Sequence, residues 1–137
     1  MNLIYTGGNP LISSAVRRTS NVLNSSFFQK HLMTSISEAE LLYVNHLIQS
    51  ISDKTSDILI ETYWNPFKKS TVVYNEEKGS LRINLANIKK SRRYILKELI
   101  KNYSLLELNK VHKNSQEDEI QNINLASYVS SLANNYA

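Results

Sequence analysis

The chain has 137 residues, 42% of them hydrophobic and 20% charged, a composition typical of folded globular proteins rather than disordered ones. It contains no cysteine, which excludes disulfides, thiolate metal sites, iron–sulfur clusters and cysteine nucleophiles. The net charge of +4 permits an acidic partner such as nucleic acid but does not require one.

The length predicts a single domain spanning residues 1–137. The N-terminus has no basic segment followed by an apolar stretch, so no secretory signal is predicted. No run of the sequence approaches the roughly 18 to 20 apolar residues that a membrane span needs. We therefore expect a soluble, cytoplasmic protein without a membrane partner.

The first third of the chain has helical patterning. Residues 1–9 are predicted to be a short extended arm, ended by the turn cluster Gly-Gly-Asn-Pro at positions 7–10. Apolar spacing over residues 10–32 fits a helix, with a break indicated near residues 24–26. Ser37, with Glu40 three residues later, has the pattern of a capping box at the start of a second helix. That helix carries an apolar stripe of Leu41, Val44, Leu47, Ile48 and Ile51.

The middle of the chain has strand patterning. Residues 58–64 are rich in β-formers and end at Asn65-Pro66, which predicts a strand. Residues 70–85 predict a β-hairpin, in which Gly79 can supply the positive φ of the turn. In the second arm of the hairpin, apolar residues alternate with polar ones, as in a half-buried strand.

Two more helices are predicted at the C-terminal end. The first covers residues 89–110 and presents one apolar face, made of Ile95, Leu96, Leu99, Ile100, Tyr103 and Leu106. The second is capped by Ser115 and is expected to bury Ile120, Ile123, Tyr128, Val129 and Leu132. The element order helix, helix, strand, hairpin, helix, helix predicts an α+β fold with about four helices packed on a small, mostly antiparallel, three-stranded sheet.

The segment Lys97-Glu98-Leu99-Ile100-Lys101 has the spacing of the H-E-x-x-H motif, with lysine at both histidine positions. In that motif two imidazoles one turn apart bind a zinc ion, and the glutamate acts on the bound water. Lysine is protonated at neutral pH and offers no lone pair to a metal. The sequence therefore predicts neither a metal site nor a cofactor here.

The surrounding segment nevertheless resembles part of the zincin metallopeptidases. A strand runs into the helix that carries Glu98, and a further acidic helix follows, over about residues 58–136. The resemblance implies that Glu117 or Glu119 stands where the later helix of one zincin branch supplies its third ligand. Because both histidines are replaced, it implies a shared fold and ancestry without the activity, that is, a pseudoenzyme.

The sequence gives no clear sign of another catalytic site. The three histidines, His31, His46 and His112, lie on or beside different predicted elements. No nucleophile elbow, Walker-type loop or dinucleotide-binding glycine motif is present. We therefore do not predict an enzyme, although the sequence alone does not decide the point.

A cluster of basic residues is the strongest positive signal in the sequence. It lies at and within the start of the helix over residues 89–110, and comprises Lys89, Lys90, Arg92, Arg93, Lys97 and Lys101. Cations at a helix N-terminus oppose the helix dipole, so the cluster suggests a use outside the fold. We predict a non-enzymatic binding protein whose basic helix contacts an acidic protein partner.

Two alternatives remain open. One is nucleic-acid binding, which a basic stripe can support by neutralising phosphates. We favour a protein partner because the stripe is local, the total charge is modest, and no helix-turn-helix or aromatic RNA-binding signature is present. The other alternative is a zincin-like pseudoenzyme or a toxin or effector domain.

Overall fold

A computed structural model describes residues 1–88, 91–111 and 115–137 of the chain. It has the predicted α+β class, with the elements β1 (Asn2–Ile4), α1 (Pro10–Leu23), α2 (Ser26–Ser35), α3 (Glu38–Ser52), β2 (Asp57–Tyr63), β3 (Val72–Asn75), β4 (Ser80–Asn84), α4 (Arg92–Val111) and α5 (Gln116–Asn134). A short 3-10 turn, Leu85–Asn87, follows β4. None of the helices in these ranges is both long and apolar enough to cross a bilayer.

The sheet differs from the prediction in strand number and direction. It has four strands in the order β1-β2-β4-β3. Pairs β1/β2 and β2/β4 are parallel, and only β3/β4 is antiparallel, so the expected mostly antiparallel three-stranded sheet is wrong in this detail. The N-terminal arm becomes the fourth strand, and its three residues are too few to show an alternating pattern. The second arm of the hairpin lies beside β2, which leaves β3 at the edge.

The five helices arise because the first predicted helix is two helices. The indicated break near residues 24–26 is confirmed, since α1 ends at Leu23 and α2 begins at Ser26. The backbone N–H of Phe28 donates to Ser25 Oγ at 3.3 Å, which caps α2. At the start of α3, Glu40 Oε1 accepts from the Ser37 hydroxyl at 2.9 Å, in line with the predicted capping pair.

Helix α4 lies at the centre of the fold and packs against α1, α3, α5 and β3. All six residues of its predicted apolar face are buried, which confirms that face. Residues 102–108 are buried on every side of the helix, including Asn102, Ser104 and Glu107. Exposed or partly exposed side chains lie at the two ends of α4, in the first part, which carries the basic residues, and at Asn109, Lys110 and Val111.

Helix α5 begins with the predicted Ser115 cap, because Ser115 Oγ accepts from the backbone N–H of Asp118 at 3.2 Å. Its predicted buried face is partly wrong, since Ile120 and Ile123 are 56% and 47% exposed. The buried face instead includes several small or polar residues: Asn122, Leu125, Ala126, Val129, Ser130, Leu132 and Ala133. Helix α5 packs mainly on α4, and the two isoleucines lie on the side of α5 that is left exposed.

Candidate functional site

A cleft of about 490 Å³ lies between the edge strand β3, the first half of α4 and α5. It is lined by Lys69, Ser70, Thr71, Val72, Val73, Tyr74, Tyr94, Glu98, Lys101, Asn102, Leu105 and Ile123. Strand β3 pairs only with β4, so no strand lies on its other side within the described residues. The cleft therefore combines a free strand edge with polar groups from a helix.

The helical wall of the cleft contributes a carboxylate, an ammonium group and an amide. Glu98 and Lys101 both line the cleft, and neither side chain has an ion pair or hydrogen bond within the described part of the chain. Asn102 is held in place because its Nδ2 donates to the backbone carbonyl of Glu98 at 2.8 Å. Both charged groups are thus available to a ligand.

The strand wall is fixed at both ends. At its start, Asn84 N donates to the Thr71 carbonyl at 2.8 Å, and Asn87 Nδ2 donates to the Ser70 carbonyl at 3.1 Å. At its end, Asn109 Nδ2 from α4 donates to the Tyr74 hydroxyl at 3.0 Å. The wall is therefore held in place before a ligand arrives, which lowers the entropic cost of binding.

The cleft continues into a smaller cavity of about 210 Å³, lined by Tyr74, Leu105, Asn109, Glu119 and Ile123. The two cavities share the lining residues Tyr74, Leu105 and Ile123. Lys69 precedes β3 and lines the main cleft near the start of the strand. Glu119 lines the smaller cavity, which lies beside Tyr74 near the end of the strand. The groove thus has a basic end and an acidic end.

The structure divides the predicted basic stripe. Lys101 lines the cleft, Lys97 is half-buried and is not part of the lining, and Arg93 is exposed. Arg92 Nη1 donates to Ser14 Oγ of α1 at 3.2 Å, so this guanidinium is directed to α1. Lys89 and Lys90 lie outside the described residues, as does His112.

The three acidic residues suggested by the zincin resemblance lie in three different places. Glu98 lines the main cleft, and Glu119 lines the smaller cavity. Glu117 is exposed and lines neither. Within the described ranges, no group of three or more histidine, aspartate or glutamate residues is placed to hold a metal ion.

A separate polar cluster lies where α3 meets α4, around a buried glutamate. The Glu107 side chain is 5% exposed, with Oε1 at 3.1 Å from Lys110 Nζ and Oε2 at 3.9 Å from His46 Nε2. Tyr103 is fully buried, and its hydroxyl has no hydrogen-bond partner in the described part of the chain. Burial, reinforced by the Glu107 carboxylate, raises the pKa of Tyr103 well above its usual value. None of these groups lines the cleft; Glu107 and Tyr103 belong to the core, and His46 and Lys110 approach Glu107 from partly exposed positions.

The sequence singled out Glu98 and Lys101 of the cleft and Glu119 of the smaller cavity, but not the strand wall or Ile123 of α5. The missed lining includes Thr71 to Tyr74, Asn102, Leu105 and Ile123. For Thr71 to Tyr74 the available signal was the first arm of the predicted hairpin, but its place at the sheet edge depends on long-range strand order. Asn102, Leu105 and Ile123 belong to α4 and α5, and no local pattern marks them as cleft residues. No protein-family model, curated protein or solved structure matches the chain.

Proposed function

We propose that the protein is a non-enzymatic binding protein whose cleft receives an extended, acidic segment of a protein partner. The observation that carries the proposal is that the edge of β3, which no second described strand pairs, lines the same cleft of about 490 Å³ as Glu98 and Lys101, which have no ion pair or hydrogen bond among the described residues. This retains the acidic protein partner expected from the basic helix, and places its contact at Lys101 and β3 rather than along the whole stripe.

The backbone of β3 supports an extended ligand. An edge strand presents unpaired N–H and C=O groups, and an added peptide strand satisfies them while its alternate side chains enter pockets. Val72, Val73 and Tyr74 supply the strand edge, and Leu105 and Ile123 supply apolar surface on the helical side. A segment of four to six residues would span a strand of this length.

The charges favour a protein over a nucleic acid. Lys69 and Lys101 can pair with acidic side chains of the ligand, while Glu98 and Glu119 lie in the same groove. A phosphate backbone would place negative charge against both carboxylates. A peptide can place an acidic residue near the lysines and a neutral or basic one near the glutamates.

Selection from a phage-displayed library of random decapeptides tests the proposal. We expect the enriched peptides to be extended in character and to carry at least one Asp or Glu. The variant Lys69→Glu/Lys101→Glu should weaken their binding at least tenfold. The matched control Lys30→Glu/Lys54→Glu, which changes the same charge at two exposed lysines outside the cleft lining, should bind as the unchanged protein does.

Two outcomes would count against the proposal. The first is enrichment of peptides that bind both charge-reversal variants equally. The second is the absence of any enriched peptide together with retention of a 30-base-pair DNA duplex whose affinity falls steeply with salt. The second result would support the nucleic-acid alternative, because release of condensed counterions gives DNA binding a strong salt dependence.

We further propose zincin-like ancestry as the origin of this arrangement. Its support is that α4 brings Glu98 and Lys101 to an edge strand, with Glu119 farther along the groove. Restoring the motif with Lys97→His/Lys101→His should then create a zinc site that Glu119→Gln weakens, measured by calorimetric titration with zinc. Zinc binding no stronger than that of the unchanged protein would contradict the ancestry.

A further inference from the structure

The loop between β2 and β3 exposes two aromatic side chains to solvent. Trp64 is 69% exposed and Phe67 is 94% exposed, and they are separated by Asn65-Pro66. Lys68 and Lys69 follow directly, and the sequence has no acidic residue between Glu61 and Glu76. We call residues 64–69 the aromatic loop.

The aromatic loop is held by buried and semi-buried amides rather than by its own aromatic rings. Asn84 is fully buried; its Nδ2 donates to the Asn65 carbonyl at 2.8 Å, and its Oδ1 accepts from Asn65 N at 3.0 Å. Asn87 Nδ2 donates to the Lys68 carbonyl at 3.0 Å. Within the loop, Phe67 N donates to Asn65 Oδ1 at 3.0 Å. These hydrogen bonds hold the backbone of the loop in place. The two rings are exposed, and neither contacts another aromatic ring in the described part of the chain.

A rigid loop with outward aromatic rings is well suited to binding. Large exposed aromatic side chains are over-represented among the residues that dominate protein–protein binding energy, and Trp is among the most frequent. Because the loop backbone is already ordered, little backbone conformational entropy is lost when the rings enter a pocket. The fold itself gains nothing from exposing these rings.

The loop also adjoins the proposed binding cleft. Lys69 belongs to the loop and lines the cleft, and Ser70, the next cleft residue, is tied to Asn87 together with Lys68. A partner segment that follows β3 toward its start would therefore reach the aromatic loop. The exposed lysines beside the rings indicate an acidic surround for the pocket that receives them.

We propose that Trp64 and Phe67 enter an apolar pocket, ringed by carboxylates, on the same protein partner that supplies the segment in the cleft. This inference rests on the proposed function for the identity of the partner. The partner would thus make two contacts with the protein. One is strand pairing with β3, and the other is insertion of Trp64 and Phe67 into the partner's pocket.

Photo-cross-linking in cells of the source organism tests the two contacts separately. The photoreactive residue p-benzoylphenylalanine is placed at position 67 in one full-length variant and at position 73, in the cleft, in another. We expect both positions to cross-link the same protein, position 73 to a segment that contains Asp or Glu and position 67 to a different, apolar segment. Binding of that purified protein should then fall at least tenfold in Trp64→Ala/Phe67→Ala.

The matched control is Phe27→Ala, which removes another largely exposed ring, on α2, and should leave binding unchanged. A cross-link at position 73 without a cross-link at position 67 would overturn the loop proposal and leave the cleft proposal standing. A cross-link from position 67 to lipid or nucleic acid would have the same meaning. A protein cross-linked at 67 but not at 73 would instead overturn the cleft proposal. Failure to cross-link at either position would overturn both.

Discussion

The buried side-chain amide of Asn84 both donates and accepts hydrogen bonds with backbone groups. Besides its bonds to Asn65, its Oδ1 accepts from the backbone N–H of Ala86 at 3.1 Å. These three hydrogen bonds are part-buried, and a backbone group that loses its partner costs up to about 1 to 3 kcal/mol when it is shielded from water. At the residue scale, this one side chain therefore links the end of β4 to the loop that carries the exposed aromatic rings.

Replacing Asn84 with alanine should lower the free energy of unfolding by about 2 kcal/mol, because it empties a fully buried position and three part-buried backbone groups lose their partner at once. Denaturant unfolding at neutral pH measures this loss. The control Asn87→Ala should cost less than about 1 kcal/mol, since its two hydrogen bonds are exposed to solvent. Equal losses in the two variants would contradict the role assigned to Asn84.

The burial of Tyr103 leads us to expect that the free energy of unfolding falls at high pH. Burial raises its pKa in the folded state, whereas in the unfolded chain its hydroxyl ionises near pH 10. The stabilising contribution is therefore complete below about pH 10 and is lost as the pH rises further, by up to about 1.4 kcal/mol per pH unit. Urea unfolding between pH 8 and 11 measures this slope.

The variant Tyr103→Phe should lack this part of the alkaline slope. At neutral pH its stability should lie within about 1 kcal/mol of the unchanged protein, because the Tyr103 hydroxyl has no hydrogen-bond partner in the described residues. An alkaline slope identical in both proteins would show that Tyr103 ionises in the folded state as readily as in the unfolded one.

At the element scale, the hairpin of β3 and β4 depends on its turn. Gly79 has φ of +61°, a conformation that costs other residues about 1 to 2 kcal/mol. Gly79→Ala should therefore destabilise the protein by about 1 kcal/mol, measured by thermal unfolding. Gly8→Ala is the control, since a Cβ there has open space and no positive φ, and it should be near neutral. A larger loss in the control would contradict this account of the turn.

The elements predicted correctly are those with strong local signals. Ser37 with Glu40, Ser115 and Gly79 each mark a boundary that residues within a few positions determine. The strand β1 was missed because Asn2–Ile4 is too short for a period, and it forms only by pairing with β2, more than fifty residues away. The buried face of α5 was predicted correctly at Val129 and Leu132 but wrongly at Ile120 and Ile123, because small or polar residues such as Asn122, Ala126 and Ser130 are buried where larger apolar ones were expected.

At the scale of the whole molecule, the cleft depends on topology. Because β4 lies between β2 and β3, the first arm of the hairpin becomes the edge strand and faces α4. Glu98 and Lys101 were recognisable from sequence because they share a motif-like spacing. The strand opposite them was not, since strand order is set by long-range packing that no local pattern records.

The central claim is that an acidic peptide pairs with β3 beside Lys101. Nuclear magnetic resonance of the labelled protein with a selected acidic decapeptide tests it most directly. We expect the largest shifts at the amides of residues 70–75 and at Lys101, with slowed hydrogen exchange along β3. Lys69→Glu/Lys101→Glu should abolish these changes at the same peptide concentration. Shifts confined to Arg92, Arg93 and the α1 face, with β3 unaffected, would contradict the claim.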